Sequence, residues 1–155
     1  MMDYLIVKTL HILSAVLIMG TGLGTAFYLF MVNRTDSILA KTVVSRLVCR
    51  ADFYFTTPAV IFQPLSGMWL MNKINMPFSA TWIWVSIALF LFCGICWLPV
   101  VYLQLKMRDI AKVAYDNDTE LPNEYNTLAK KWELLGYPAF IAVIVIFFLM
   151  VIKPM

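Results

Sequence analysis

The side chain in this sequence best suited to hold a cofactor is its only histidine, His11, which lies in an apolar run long enough to cross a membrane. Ionisable groups at membrane depth are costly and usually face the bundle interior, where they mark a cofactor, a proton path or a partner. Neutral imidazole is a common axial ligand of haem iron. We therefore hypothesise that His11 ligates haem b. The alternative is a neutral histidine that only hydrogen-bonds a neighbouring helix.

Three further residues are candidates for the same cofactor site. Lys8 lies one helical turn before His11 on the same face, where its ammonium could pair with a haem propionate or simply extend to the membrane interface. Gly22 belongs to a small-residue stretch that would admit either a porphyrin face or a neighbouring helix. Gln63, in mid-membrane, could bond a cofactor, a substrate or another helix.

Two cysteines, Cys93 and Cys96, form a C-x-x-C pair whose spacing could hold copper or perform thiol exchange. Small cysteines in apolar sequence usually only pack, so the pair alone does not indicate a site. The sequence also contains no Ser/His/Asp set, no pair of mid-membrane carboxylates and no phosphate-binding loop, which argues against hydrolysis. If the chain is an enzyme, we expect a membrane haem-dependent oxidoreductase.

A second group of candidate residues is charged. Arg46, Arg50 and Asp52 precede the second predicted span, and Arg108 with Asp109 follows the third. These residues converge at one face of the membrane if the helices pack as neighbours. The sequence leaves open whether they form an ion-pair network or a site for an anion or a lipid headgroup.

The composition places all these residues in a lipid bilayer. Hydrophobic residues make up 62% of the 155 residues and charged residues only 14%, whereas a soluble domain carries about 25% charged residues. The mean hydropathy is +0.81. Lys and Arg residues lie in short segments between apolar runs, a distribution that indicates membrane topology and no nucleic-acid partner.

The apolar runs predict an all-α integral membrane four-helix bundle, a single transmembrane domain over residues 1–155. A bilayer core of ~30 Å needs about 20 helical residues. Four stretches qualify, at residues 4–32, 53–72, 79–105 and 132–152. A short turn at Asn72–Pro77 predicts that the second and third spans are neighbours. Helical spacing predicts that Ser37–Arg50 and Lys106–Ala114 continue as helix beyond the membrane.

The basic residues predict the orientation of the bundle. Nine of the 12 lie in the two long connections and three on the opposite side, so the positive-inside rule places both connections in the cytoplasm. We therefore expect a multi-pass protein of the bacterial inner membrane with both termini in the periplasm. The three on the opposite side are Lys8, Lys73 and Lys153.

The whole chain resembles a bacterial family of small predicted integral membrane proteins, domain of unknown function 2269. The resemblance extends over nearly the full length and implies the topology. It rests on short motifs along the sequence, namely Lys8–His11, Gly20–Gly24, Phe53–Pro58, Gln63–Pro64, Trp97–Pro99 and the region of Pro138.

The first span is also similar to the first helix of the HemJ-type protoporphyrinogen oxidases, four-helix-bundle proteins that bind haem b; the CopD-like copper proteins are similar in outline. The similarity lies in Lys8-x-x-His11 followed by glycine and Phe27-Tyr28. It implies a haem ligated by His11 with Lys8 close by. Met31–Arg34 stands where those oxidases have proline-arginine and a second histidine, so porphyrinogen oxidation itself is not implied.

These observations predict a small membrane protein that binds haem b through His11 for electron transfer or for redox chemistry on a membrane-soluble partner. Two alternatives remain open: a cofactor-free accessory or assembly subunit of a larger membrane complex, and a small transporter or metal-handling protein. The expected partners are the lipid bilayer and either another membrane protein or a second copy of the chain. One histidine cannot supply both axial ligands within a monomer.

Overall fold

The computed structural model describes residues 2–75 and 80–154, and within them the chain is all-α, as predicted. One turn of π-helix at Asp52–Thr56 keeps the chain helical between the second and third helices, which therefore form one continuous rod. The α-helices are α1 (Met2–Asn33), α2 (Ile38–Ala51), α3 (Thr57–Lys73), α4 (Thr81–Asp116) and α5 (Asn123–Ile152).

Three of these helices, α1, α4 and α5, are long and apolar enough to cross a membrane. Helix α3 has 17 residues, and with Phe53–Thr56 of the π turn before it the continuous helix reaches the length of about 20 residues that a bilayer needs. Large apolar side chains stay exposed on these helices, for example Ile95 at 69% and Phe148 at 63%. Apolar surface of that extent requires lipid as its solvent.

The predicted turn and helix extensions can be compared with the structure directly. Met76 and Pro77 of the predicted turn, and Ser79 at the start of the third predicted span, lie outside the described residues. The predicted extensions of the spans are confirmed. Helix α2 begins after Ser37, whose hydroxyl accepts from the Ala40 amide at 3.2 Å and caps the helix, and α4 continues to Asp116.

The helices pack as two antiparallel pairs. Helix α1 packs against the continuous rod of α2 and α3, and α4 packs against α5 over the most extensive helix contact in the molecule. The pairs meet chiefly where α2 lies on α4. The prediction that the second and third spans pack as neighbours is wrong for the described residues, because α3 has no extended contact with α4. In lipid, apolar faces need no protein partner, so a short connection does not make two helices pack.

The buried apolar core lies at one end of the molecule, where α1 meets α2, α4 ends and α5 begins. We call this the basic end, because most Lys and Arg residues lie there. Thr42 of α2 donates to the Ala111 carbonyl of α4 at 2.9 Å and links the two pairs. The core residues are Leu29, Val32, Val48, Leu103, Met107, Ala111, Tyr125, Leu128, Ala129 and Trp132.

Tyr125 is the largest fully buried side chain of this core. Its hydroxyl donates to Asn33 Oδ1 at 2.7 Å, and the Lys41 ammonium lies 5.2 Å from its ring centroid. The Asn33 Nδ2 atom is buried without a partner, so the Tyr125 bond is the side-chain hydrogen bond that Asn33 has. Tyr125 therefore joins α5 to the end of α1 and to α2.

Replacing Tyr125 with phenylalanine should lower the free energy of unfolding by about 1–3 kcal/mol, because Asn33 Oδ1 would stay buried without a donor. Thermal unfolding in detergent, followed by circular dichroism, measures this change. The control is Tyr137→Phe on the same helix, where the ring is 59% exposed. Equal unfolding midpoints for Tyr125→Phe and the control would contradict the role given to this hydrogen bond.

Candidate functional site

The side chain of His11, a residue of α1, lies against α3, and both of its ring nitrogens face polar side chains of α3. The Nδ1 atom lies 2.7 Å from Ser66 Oγ, and the Nε2 atom lies 3.2 Å from the amide nitrogen of Gln63. Ser66 is 4% exposed and His11 is half-buried. We call these three residues the histidine cluster. The structure thus brings together two of the predicted cofactor residues, His11 and Gln63.

The partners of Ser66 assign the tautomer of His11. The Ser66 hydroxyl donates to the Phe62 carbonyl at 2.8 Å, so its oxygen accepts the proton of His11 Nδ1–H. The lone pair of His11 then lies on Nε2, where the Gln63 amide donates to it. The imidazole is therefore neutral, with Nδ1 as the donor and Nε2 as the acceptor.

Helices α1 and α3 lie close together around the histidine cluster. A Cβ atom at Gly67 would lie 3.4 Å from His11 Cε1, so the imidazole ring packs beside the backbone of this glycine. One turn further along α1, Ser14 is 5% exposed and donates to the Ala59 carbonyl at 3.0 Å. The two helices are thus joined by polar bonds at successive turns, the contacts that hold helices together in lipid.

One acceptor of the histidine cluster has no donor. Gln63 Oε1 is buried and makes no hydrogen bond within the described part of the chain, although the amide nitrogen of the same side chain binds His11. A buried acceptor without a partner costs about 1–3 kcal/mol. The cluster therefore has unused capacity to accept a hydrogen bond.

Lys8 and Gly22 are not part of the histidine cluster. Lys8 is exposed, and its ammonium lies 5.8 Å from the Tyr4 ring centroid. No atom lies within 4 Å of a Cβ built at Gly22, nor of one built at Gly20 or Gly24, so within the described residues nothing fills this face of α1. Their assigned roles stay predictions.

Sequence reasoning missed Ser66, although a signal was present. Ser66 follows Gln63 by three residues, a spacing that places both side chains on one helical face. A serine in an apolar helix usually bonds the carbonyl one turn back, as Ser66 does with Phe62. Its oxygen can still accept a second bond, and here His11 supplies the donor.

The two cysteines of the C-x-x-C pair face different surroundings. The Cys93 thiol donates to the Ala139 carbonyl at 3.5 Å, and Cys96 is 7% exposed. Within residues 2–75 and 80–154, no group of three His, Cys, Asp or Glu side chains is arranged to hold a metal. The pair thus packs α4 against α5.

The charged residues predicted to converge do so at the basic end, where α2, the π turn and α4 line a cleft of about 630 Å³. Among the residues that the structure describes, one ion pair closes part of it, between Arg108 and Asp109 at 2.7 Å. Asp52, 5% exposed, accepts from Thr56 at 2.9 Å and from the Gln104 amide. The cleft is lined by the cations Arg46, Arg50, Arg108 and Lys112 and the carboxylates Asp52 and Asp109.

Comparison with known proteins matches the chain to one family model, described as "Predicted integral membrane protein (DUF2269)", over residues 5–154. No curated protein and no solved structure matches the chain. The similarity to HemJ-type and CopD-like proteins therefore stays a prediction.

Asp52 predicts a pH dependence of stability. Burial raises the pKa of its carboxyl above the usual value of 3.8, against the opposing effect of the bonds from Thr56 and Gln104. Because the unfolded chain then loses this proton at lower pH than the folded chain, stability falls as pH rises from the usual pKa to the raised one. Asp52→Asn should remove that fall. The test is the difference in unfolding midpoint between wild type and Asp52→Asn over about pH 4 to 7. A difference that stays constant would contradict the raised pKa.

Proposed function

The chain belongs to the DUF2269 family of predicted integral membrane proteins, and we propose that it binds haem b through His11 for electron transfer or redox chemistry on a membrane-soluble partner. The observation that supports this most directly is the hydrogen bond from His11 Nδ1–H to Ser66. It leaves Nε2 as the ring nitrogen whose lone pair can bind a metal. Histidine ligands in proteins typically have their other ring nitrogen held in this way.

Gln63 must break its hydrogen bond to His11 Nε2 before His11 can bind iron. Its amide now donates to Nε2 at 3.2 Å, at the long end of the range for a hydrogen bond. If the side chain withdraws, its amide and its unpartnered Oε1 become free to bond the cofactor or a substrate. Bound haem would supply one-electron chemistry, while the protein supplies the ligand and its surroundings.

The remaining predicted residues fit the proposal without being part of the cluster. Among the described residues Lys8 contacts the Tyr4 ring, and such contacts at exposed sites contribute about 0.5–1 kcal/mol. Its ammonium is thus free to pair with a propionate. Gly22 lies on the open face of α1, which has no side chains to exclude a flat ring. A sixth ligand would come from a methionine or a second copy of the chain, and without one the iron would stay open to a substrate.

The location in the cell is part of the same proposal. Nine of the 12 basic residues lie in the two long connections, which supports a bacterial inner-membrane protein with both termini in the periplasm. His11 would then lie nearer the periplasmic surface. If the chain is an enzyme, it is a haem-dependent oxidoreductase of that membrane.

A cofactor-free accessory or assembly subunit is the second candidate. Two observations favour it: both His11 nitrogens already have protein partners, and the glycine face from Gly20 to Gly24 is unfilled. Small residues at this spacing suit close packing of a partner helix in lipid. The transporter or metal-handling alternative has less support, because the cysteine pair has no third ligand among the described residues.

The proposal predicts a Soret band in the purified, detergent-solubilised protein, lost in His11→Ala. If His11 serves only to bond α3, the same substitution should cost about 0.6 kcal/mol of stability and leave the spectrum of the purified protein unchanged. The measurement is absorption after expression with haem precursor, together with titration of the isolated protein with haemin.

Two variants separate ligation from helix packing. Ser14→Ala removes another polar bond between α1 and α3, so it should destabilise the pair without reducing haem content. Gln63→Leu removes the amide that competes for Nε2, so it should bind haem at least as tightly as wild type. Haemin binding that is equal in wild type and His11→Ala, or absent from both, would refute the proposal.

A further inference from the structure

The cleft at the basic end is separate from the histidine cluster. At a rise of about 1.5 Å per residue, roughly 20 Å separate Ser66 from Asp52 along the continuous helix. The haem proposal therefore leaves the cleft without a role. Its volume, about 630 Å³, lies within the range of about 300–1,000 Å³ usual for ligand sites.

The cations of the cleft are mostly unpaired. Within residues 2–75 and 80–154, Arg108 is bound to Asp109, whereas Arg46, Arg50 and Lys112 form no ion pair. Asp52 is bonded by Thr56 and Gln104 and by none of the arginines. An ion-pair network that closes the bundle is thus not what these residues form. The cleft keeps an excess of positive charge that an anion would complement.

Gln104, one of the residues that line the cleft, has an acceptor without a donor. The side chain is 4% exposed, its amide donates to Asp52, and among the described residues its buried Oε1 atom has no partner. Water, or a ligand group that carries an O–H or an N–H, can satisfy that oxygen, and a fully deprotonated anion cannot. A single ligand that supplies both the negative charge and the donor therefore combines an anionic group with a hydroxyl.

The position of the cleft further restricts the class of ligand that can bind there. Phe53 and Tyr54 form part of its wall, where the second predicted span begins, and these rings are 68% and 66% exposed. Aromatic rings at this depth mark the membrane interface. A ligand in the cleft thus lies at the level of the lipid headgroups, and basic pockets at that level commonly bind them.

We propose that the cleft binds a glycerophosphate group, the headgroup of phosphatidylglycerol or its soluble counterpart. The phosphate oxygens accept from Arg46, Arg50 and Arg108, and a glycerol hydroxyl donates to Gln104 Oε1. This ligand supplies both things that the cleft lacks, a negative charge for the unpaired guanidinium groups and a donor for the unpaired oxygen.

The test is native mass spectrometry of the full-length protein in detergent, titrated with short-chain phosphatidylglycerol, phosphatidic acid and phosphatidylcholine and with glycerol 3-phosphate. Phosphatidylglycerol should bind at least tenfold more tightly than phosphatidylcholine. In alkaline buffer, where the phosphate of phosphatidic acid is fully deprotonated, that lipid has no hydroxyl to donate, so Gln104→Leu should weaken the binding of phosphatidylglycerol several-fold and leave that of phosphatidic acid unchanged. Arg50→Gln should weaken both.

Further variants keep the result interpretable. Arg46→Gln alters an exposed side chain, so it tests the site even if Gln104→Leu fails to fold. Lys130→Gln removes an exposed charge of the basic end outside the cleft and should bind as wild type does. His11→Ala should also bind normally, since the two proposals are independent.

Glycerol 3-phosphate that binds as tightly as the lipid, with the same Gln104 dependence, would identify a soluble source of the group. Equal binding of phosphatidylglycerol and phosphatidylcholine, or no effect of Arg46→Gln and Arg50→Gln, would refute the site.

Discussion

Hydrocarbon offers no hydrogen bonds, and this constraint decides where polar groups can lie in the molecule. The backbone satisfies itself as helix throughout the described spans. Isolated hydroxyls satisfy themselves on their own helix, as Thr25 does with the Thr21 carbonyl and Ser86 with the Trp82 carbonyl. Polar groups that reach across helices, such as His11 and Ser14, add directed contacts that connect α1 to α3. Hydrogen bonding therefore adds to the van der Waals packing that pairs these two helices.

The same constraint explains why the two helix pairs meet at the basic end. Close to water, polar side chains can take part in contacts that also bury apolar ones, and there Tyr125 reaches Asn33 while Thr42 reaches Ala111. Deeper in the bilayer, apolar faces gain van der Waals packing but no hydrophobic driving force when they leave lipid for protein. The core therefore lies at one end, and α3 has no need to contact α4.

The sequence was informative about elements and much less so about partners. Uninterrupted apolar runs predict helices at bilayer length, and the amphipathic spacing of Ser37–Arg50 predicts the extension of α2 because water and protein face opposite sides there. A lone His11 in such a run predicts a polar contact, and Gln63 is among its partners. The spacing from Gln63 places Ser66 on the same helical face, but neither its bond to His11 nor the role of Gln104 could be identified, since both depend on which helix lies opposite. Helix neighbours were predicted wrongly for the same reason, because apolar residues look alike whether they face lipid or protein.

The histidine cluster and the cleft share one local design. In each, an ionisable group is bonded by a hydroxyl and by a glutamine amide: His11 by Ser66 and Gln63, and Asp52 by Thr56 and Gln104. In the histidine cluster, the Ser66 hydroxyl is also bonded to the Phe62 carbonyl of its own helix. It therefore fixes the orientation of the His11 imidazole ring. The glutamine is the partner with an unused oxygen in both places. When a ligand takes the place of a glutamine, a side chain with an unpaired oxygen loses fewer hydrogen bonds than a fully bonded one. If the ligand carries a donor, the glutamine also gains a hydrogen bond. For that reason each glutamine is the side chain whose hydrogen bonding a ligand at its site would change.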